Sequence, residues 1–260
     1  MKKQKLAVVF AALLAMVGFS SCLNGETDPT VSPQEIMKVN GFGGYYTFTS
    51  AYGYTVTPVN MSDLSDVTLD SYAIVQYSYD SSLVEWNANK DVTITNLVNI
   101  KDGTVMPKAP DADSGNAPVY TISSSMVQPT YFDRYNLFVP VTYYYKSSSD
   151  KDDLQSELSS HSFVLYYDPS EVSTDGTLLL HLRHKVTDAS VQRNEYGTEY
   201  RHFNLTPVLT SYTSLHNVAM PDKIVIEYEK SSSSSYENAS SDKVEIQYKS
   251  LFGETSTNNQ

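Results

Sequence analysis

Two runs near the C-terminus alternate with a period of two, which is a strand's period and not a helix's. In 224–229, Ile224, Ile226 and Tyr228 fall on one face and Val225, Glu227 and Glu229 on the other. In 244–249, Val244, Ile246 and Tyr248 oppose Glu245, Gln247 and Lys249. Each run therefore has one apolar side to bury. The Ser-rich stretch between them, 230–241, reads as a hairpin loop and is expected to be mobile.

The same pattern recurs upstream. Residues 45–50 and 54–58 are β-prone runs around Ala51-Tyr52-Gly53, a hairpin signal. Runs 71–80 and 91–100 alternate, and so does 135–145, where Leu137, Val139, Val141, Tyr143 and Tyr145 share a face. Pro140 lies on the other face and predicts an edge position or a bulge, because it cannot donate to a ladder. Further strands are expected at 162–167, 176–185 and 200–209, with one helical turn near 152–158. The chain's 21 tyrosines suit pleated, half-buried surfaces. Short strands without a sustained helical period predict an all-β chain. Residues 36–108 form a small barrel or sandwich. Residues 118–250 match an immunoglobulin-like β-sandwich in size and strand number. The stretch 109–117, with Pro110, Gly115 and Asn116, reads as the linker. Asp111-Ala-Asp113-Ser-Gly115 has the start of a calcium loop but lacks the later ligands, so no metal is expected there. Residues 251–260 are a polar tail.

The N-terminus sets the compartment. Lys2, Lys3 and Lys5 precede an apolar run over 6–19, and Ser20 and Ser21 lead directly into Cys22, the only cysteine. This is the layout of a signal peptide over 1–21. The apolar run is too short for a membrane span, which needs roughly 20 residues. The small residues before Cys22 resemble a bacterial lipobox, with Phe19 where Leu is more usual. Cys22 is thus expected to carry lipid on its sulfur and amino group, with several acyl chains supplying stable attachment. An ordinary cleaved signal with a free cysteine is the alternative. Residues 22–35 read as a polar tether. Removing the signal takes three lysines and no acid from a net charge of -12, leaving -15. That balance argues against nucleic acid, whose phosphates need Lys and Arg, and against a basic patch on an anionic membrane.

At Gly176-Thr-Leu-Leu-Leu-His-Leu-Arg-His-Lys185 with Asp188 the chain resembles the C-terminal domain of NigD-like lipoproteins of Bacteroidales. Supporting segments are 135–143, 203–205, 222–228 and, in the first body, 45–58 and 72–79. The resemblance implies an N-terminal OB-like barrel and a C-terminal β-sandwich on an outer-membrane lipid anchor, with the periplasmic or exterior side left open. The family takes its name from a bacteriocin immunity protein, and its name transfers little mechanism.

Candidate chemistry is sparse. The histidines are His161, His181, His184, His202 and His216. On a strand, His181 and His184 point to opposite faces and cannot chelate one metal. His184 falls with Leu178, Leu180 and Leu182 and reads as a core or rim histidine. His202 could approach His181 if their strands pair. No nucleophile elbow, His-Glu-x-x-His or phosphate loop is present. No catalytic residue, metal or cofactor is therefore expected. The expected role is a non-catalytic cell-envelope lipoprotein that binds a macromolecular partner, an immunity-like role included. The alternative is a surface glycan-binding lipoprotein, with Tyr45, Tyr46, Tyr52 and Tyr54 offering stacking faces near one hairpin. Trp86 reads as a core or rim anchor rather than a ligand platform.

Overall fold

The computed structural model describes residues 29–64, 67–110, 115–171 and 175–253. Cys22 and the signal segment, Asp111 and Asp113 of the calcium-like loop, and most of the polar tail lie outside the described residues. The chain forms two bodies, and it passes from one to the other between Lys101 and Asp102. In class it is all-β, with three helices in the second body among the described residues.

The first body contains β1 (Thr30–Val31), β2 (Gln34–Phe42), β3 (Tyr45–Ser50), β4 (Thr55–Pro58), β5 (Tyr72–Asp80) and β6 (Lys90–Asp102). Four of the pairings, β2–β3, β3–β4, β2–β5 and β5–β6, are antiparallel, whereas β4–β6 is parallel. Together they close a five-stranded barrel. Counted from β2, its order is 1-2-3-5-4 and back to 1, which is the OB arrangement the resemblance implied. Closure leaves a barrel without free edges. Inside it pack Met37, Val39, Phe48, Val56, Ala73, Val75, Tyr77, Val92 and Ile94. Between Gln76 and Tyr77 the register steps from Asn96 to Ile94, and the extra residue Thr95 bends β6. The expected tether over 22–35 is partly structured: Thr30 and Val31 pair with Asp80 and Tyr79, and β2 starts at Gln34.

The second body contains β7 (Thr104–Met106), β8 (Thr130–Tyr131), β9 (Asn136–Tyr145), α1 (Lys151–Ser159), β10 (His161–Tyr167), β11 (Thr177–Val186), β12 (Glu195–Asn204), α2 (Thr206–His216), β13 (Lys223–Lys230), β14 (Ser240–Ile246) and α3 (Tyr248–Phe252). One sheet runs β14-β13-β11-β10-β7; β12, β9 and β8 lie side by side in another. The inner faces meet around Val139, Val141, Phe163, Leu165, Leu178, Leu180, Phe203 and Ile226, closed by Val208, Leu209 and Tyr212 of α2.

Three features depart from the sequence expectation. The five-stranded sheet is mixed, with β7–β10 and β11–β13 parallel, where an immunoglobulin sandwich is built of antiparallel sheets. Parallel neighbours need long crossovers, and β11 reaches β13 only after β12 and α2. The expected strand over 200–209 stops at Asn204 because Pro207 in the first turn of α2 has no N–H for a ladder and suits a helix start. The Ser-rich loop is tied down: Ser231 N–H donates to Val119 O at 3.0 Å, and the Tyr144 hydroxyl donates to Ser232 O at 2.6 Å. Pro140 occupies an edge-like position. It pairs with Tyr200 of β12, while β8 covers only Leu137 and Phe138 on the other side.

Candidate functional site

The histidines separate into distinct settings. His202 and His181 do not meet, because β12 pairs with β9 and not with β11. His202 Nδ1 faces Asp102 Oδ1 at 2.7 Å and its Nε2 faces Asn136 Oδ1 at 2.8 Å. His181 Nε2 faces Glu171 Oε2 at 2.7 Å, and the ring stacks on Tyr166 with centroids 4.8 Å apart. Its Nδ1 stands 3.2 Å from Glu227 Oε1 without hydrogen-bond geometry. His216 Nε2 lies 3.3 Å from the Tyr167 hydroxyl. Among the described residues no three His, Cys, Asp or Glu side chains converge as a metal site would need.

His184 is the core histidine expected, but with a partner that residue spacing did not indicate. β10 and β11 are antiparallel neighbours in which Phe163 lies opposite His184. His161, two residues along β10 from Phe163, points to the same face. Its Nδ1 lies 2.9 Å from His184 Nε2. His184 Nδ1 donates to the Pro118 carbonyl at 3.0 Å, since that oxygen can only accept. His184 Nε2 must then accept, and His161 Nδ1 donates to it. This leaves His161 Nε2 facing Glu157 Oε1 at 3.1 Å, a contact that becomes a hydrogen bond only when an extra proton enters the chain. Burial holds both imidazoles below the ordinary histidine value, His184 down to about 3. For Glu157 burial acts upward, but hydrogen bonds from Lys146 N–H and Arg193 outweigh it and hold the carboxyl below its usual range.

Glu157 also fastens α1. That helix is capped by Asp150, whose carboxylate accepts from the N–H groups of Asp152 and Asp153, yet it buries no residue. Its hold on the body comes largely from Glu157, which accepts from Lys146 N–H at 3.0 Å and from Arg193 Nε at 2.6 Å. Arg193 is itself anchored by donating to the carbonyls of Asp188 and Val191. An open polar cavity of about 500 Å³ lies over this pair, walled by Ser148, Asp153, Ser156 and Thr187 among others. Glu157 and Arg193 at its floor are paired with one another, so the arrangement orders α1 and the loop before β12.

The first body holds a different construction. The tip of the β3–β4 turn is Tyr52, followed by Gly53 at φ +87°, a left-handed conformation that favours glycine. The loop between β5 and β6 carries Trp86, the only tryptophan. The Trp86 ring meets Tyr52 edge to face at 5.4 Å and Tyr54 at 6.2 Å. Trp86 remains 58% exposed and Tyr52 73%, while Tyr54 is buried. Beneath them Lys90 is 5% exposed; its ammonium donates to the Trp86 carbonyl and lies 4.3 Å from the Tyr54 ring centroid. Beside it the half-buried Glu35 accepts from the hydroxyls of Tyr54, Tyr77 and Ser50. Burial and the Glu35 carboxylate push the Tyr54 phenol up to about 12.

Trp86 is thus a rim residue, held from below and open above. The expected cluster of Tyr45, Tyr46, Tyr52 and Tyr54 does not form one platform. Tyr45 starts β3 and Tyr52 follows its far end, a separation of roughly 17 Å of strand, and Tyr54 is buried within the barrel.

No family model matches the chain, and no curated protein matches it. Solved structures do. A presumptive lipoprotein of Bacteroides fragilis aligns with a TM-score of 0.74 and 26% identity, covering 86% of this chain and 100% of that one. A Bacteroides vulgatus protein of unknown function aligns at 0.57 and 12% identity, covering 84% of this chain and 91% of that one. A NigD-like immunity protein from Bacteroides caccae aligns at 0.48 and 17% identity, over 84% of this chain and 93% of that one. The Bacteroides fragilis match supports the two-body β fold and a likeness to Bacteroides lipoproteins.

Proposed function

We propose that this chain is a non-catalytic lipoprotein of the cell envelope, held in the outer membrane through acyl groups on Cys22, that binds a macromolecular partner. The likeness to the Bacteroides fragilis protein supports the lipoprotein reading. The basic-apolar-small-Cys order of residues 2–22 supports it independently. The observation that carries partner binding is the Trp86–Tyr52 rim. Two large rings are left open to solvent while a buried lysine and three hydroxyl–carboxylate contacts hold their base. Ordering an exposed ring in advance removes part of the entropic cost of binding. Catalysis is disfavoured because the acids and histidines brought together in the second body are committed to internal partners.

Two measurements test this. Lipid labelling of wild type and Cys22→Ala, combined with protease shaving of intact cells, reports the anchor and the side displayed. Label retained by Cys22→Ala would remove the anchor. Crosslinking in intact envelopes should recover a partner with wild type and lose most of it with Trp86→Ala. Equal recovery from both would remove the rim as the binding face.

A further inference from the structure

We infer that the Trp86–Tyr52 corner of the barrel is a binding site for a neutral carbohydrate, with one sugar ring stacked on exposed indole or phenol. This deepens the partner-binding reading above and rests on the rim being the contact face.

Size is the first argument. The exposed apolar side chains on these two turns are Tyr52, Trp86 and Leu83, the last 78% exposed. A stable protein interface needs about 800 Å² on each partner, more than three side chains supply. One or two pyranose rings, each with an apolar face of C–H groups, match that scale.

Charge is the second. Residues 80–91 contain Asp80, Glu85 and Asp91 and a single cation, Lys90. The ammonium of Lys90 is turned inward onto the Trp86 carbonyl and the rings of Tyr54 and Tyr79. Residues 80–91 present no outward cation, so phosphate, sulfate and uronate groups would meet like charge there. A neutral, hydroxyl-rich ligand meets no such penalty, and exposed Glu85 and Asn87 flank the tryptophan with acceptors and donors for hydroxyl groups.

Preorganisation is the third. The loop is stapled along its length: Ser81 N–H donates to Pro29 O at 2.9 Å, Ser82 N–H to Asp80 Oδ1 at 2.8 Å, and Ala88 N–H to Glu85 O at 3.2 Å. On the facing turn, Tyr52 N–H donates to Ser50 Oγ at 3.1 Å, and the same hydroxyl donates to Glu35. Two perpendicular rings, 84° apart, make a corner that offers a face and an edge at fixed orientation. In closed barrels of this strand order, loops including the one between the fourth and fifth strands serve oligosaccharide and oligonucleotide binding; here that loop is the one carrying Trp86, and its acidity leaves the sugar.

Trp86 is the sole tryptophan, so its emission reports this corner alone. The full chain would be titrated with neutral hexose and N-acetylhexosamine oligosaccharides and with sulfated and uronate-bearing counterparts. The expected result is a saturable blue shift with at least one neutral oligosaccharide, at least tenfold weaker binding for Tyr52→Ala, and no shift with its anionic counterpart. Calorimetry with Trp86→Ala should show the heat of binding lost while near-ultraviolet dichroism from the buried tyrosines is retained. A flat response across the neutral panel, a preference for anionic members, or unchanged affinity in both variants overturns the inference. If sugars give no response while crosslinking still recovers a protein through Trp86, the carbohydrate assignment fails and partner binding stands. If neither responds to Trp86→Ala, both fail.

Discussion

In the first body a buried lysine and a half-buried carboxylate lie under exposed aromatic rings; in the second, buried aromatic rings lie among paired charges. Lys90 and Glu35 hold Trp86 and Tyr54 from below and leave Trp86 open. His161 and His184 pack against Tyr143 and Phe163, with Glu157 and Arg193 closing the chain at the cavity. Polar interior groups serve both regions, but the first exports an apolar surface and the second consumes its own valences. An exposed ring with an ordered base has binding free energy still to gain. A charge pair with every partner supplied contributes mainly to stability and to the placement of α1.

The contrast predicts that the second body loses stability where the first loses binding. Arg193→Ala leaves the half-buried Glu157 without its guanidinium, and should cost about 1.5–3 kcal/mol in chemical denaturation. A loss under about 1 kcal/mol would show the pair to be solvent-screened instead. Acid should act on the same region. His184 has a folded value of about 3 against an ordinary 6.5, so the unfolded chain takes up its proton first. Its contribution is present above pH 6.5 and is lost as pH falls toward 3. The wild type should lose about 3 kcal/mol from this group between pH 7 and pH 4. His184→Phe should flatten that part of the pH profile, and an unchanged slope would break the assignment.

Lys90→Met tests the support of the rim. Losing the ammonium–ring and ammonium–carbonyl contacts should cost about 1–2 kcal/mol and lower Trp86 fluorescence anisotropy. Anisotropy equal to wild type would mean that Lys90 does not order the indole. The smallest effect is expected from Trp86→Ala itself. As a largely exposed side chain it should change stability by no more than about 0.5 kcal/mol, whatever it does to binding. A loss of several kcal/mol would make Trp86 a structural residue and erase the contrast between the bodies.

Much of the strand pattern was legible because alternation is local. The expected runs at 45–50, 71–80 and 135–145 correspond to β3, β5 and β9. The pairing of 224–229 with the second run is the β13–β14 ladder, with Ile224 opposite Ile246 and Ile226 opposite Val244, but that strand ends at Ile246 and the expected strand residues Tyr248 and Lys249 lie in α3. β2 was missed because Gly41 breaks the inward face of Met37 and Val39 and apolar Ile36 falls on the opposite one, although Met37 and Val39 are fully buried. α2 was read as the end of a strand, yet Pro207 followed by Val208, Leu209 and Tyr212 carried a helix-start signal and a helical spacing. The join was placed at 109–117 on its Pro, Gly and Asp content; Thr104–Met106 lies earlier but pairs with β10, and no composition signal reports a partner sixty residues away.

The candidate sites were less legible, for the same reason. His161 and His184 are 23 positions apart, and only the antiparallel register of β10 against β11 places their rings in contact. Trp86 and Tyr52 sit on different turns, and barrel closure brings them together.

What the sequence determined by itself is the all-β class, the two-body order and the acidic balance, because each is written in local period or composition. Whether a tyrosine or tryptophan faces core or solvent was decided only by the tertiary structure. Alternation separates the two faces of a strand, but a face is buried or open according to which distant strand, loop or lysine comes to lie against it.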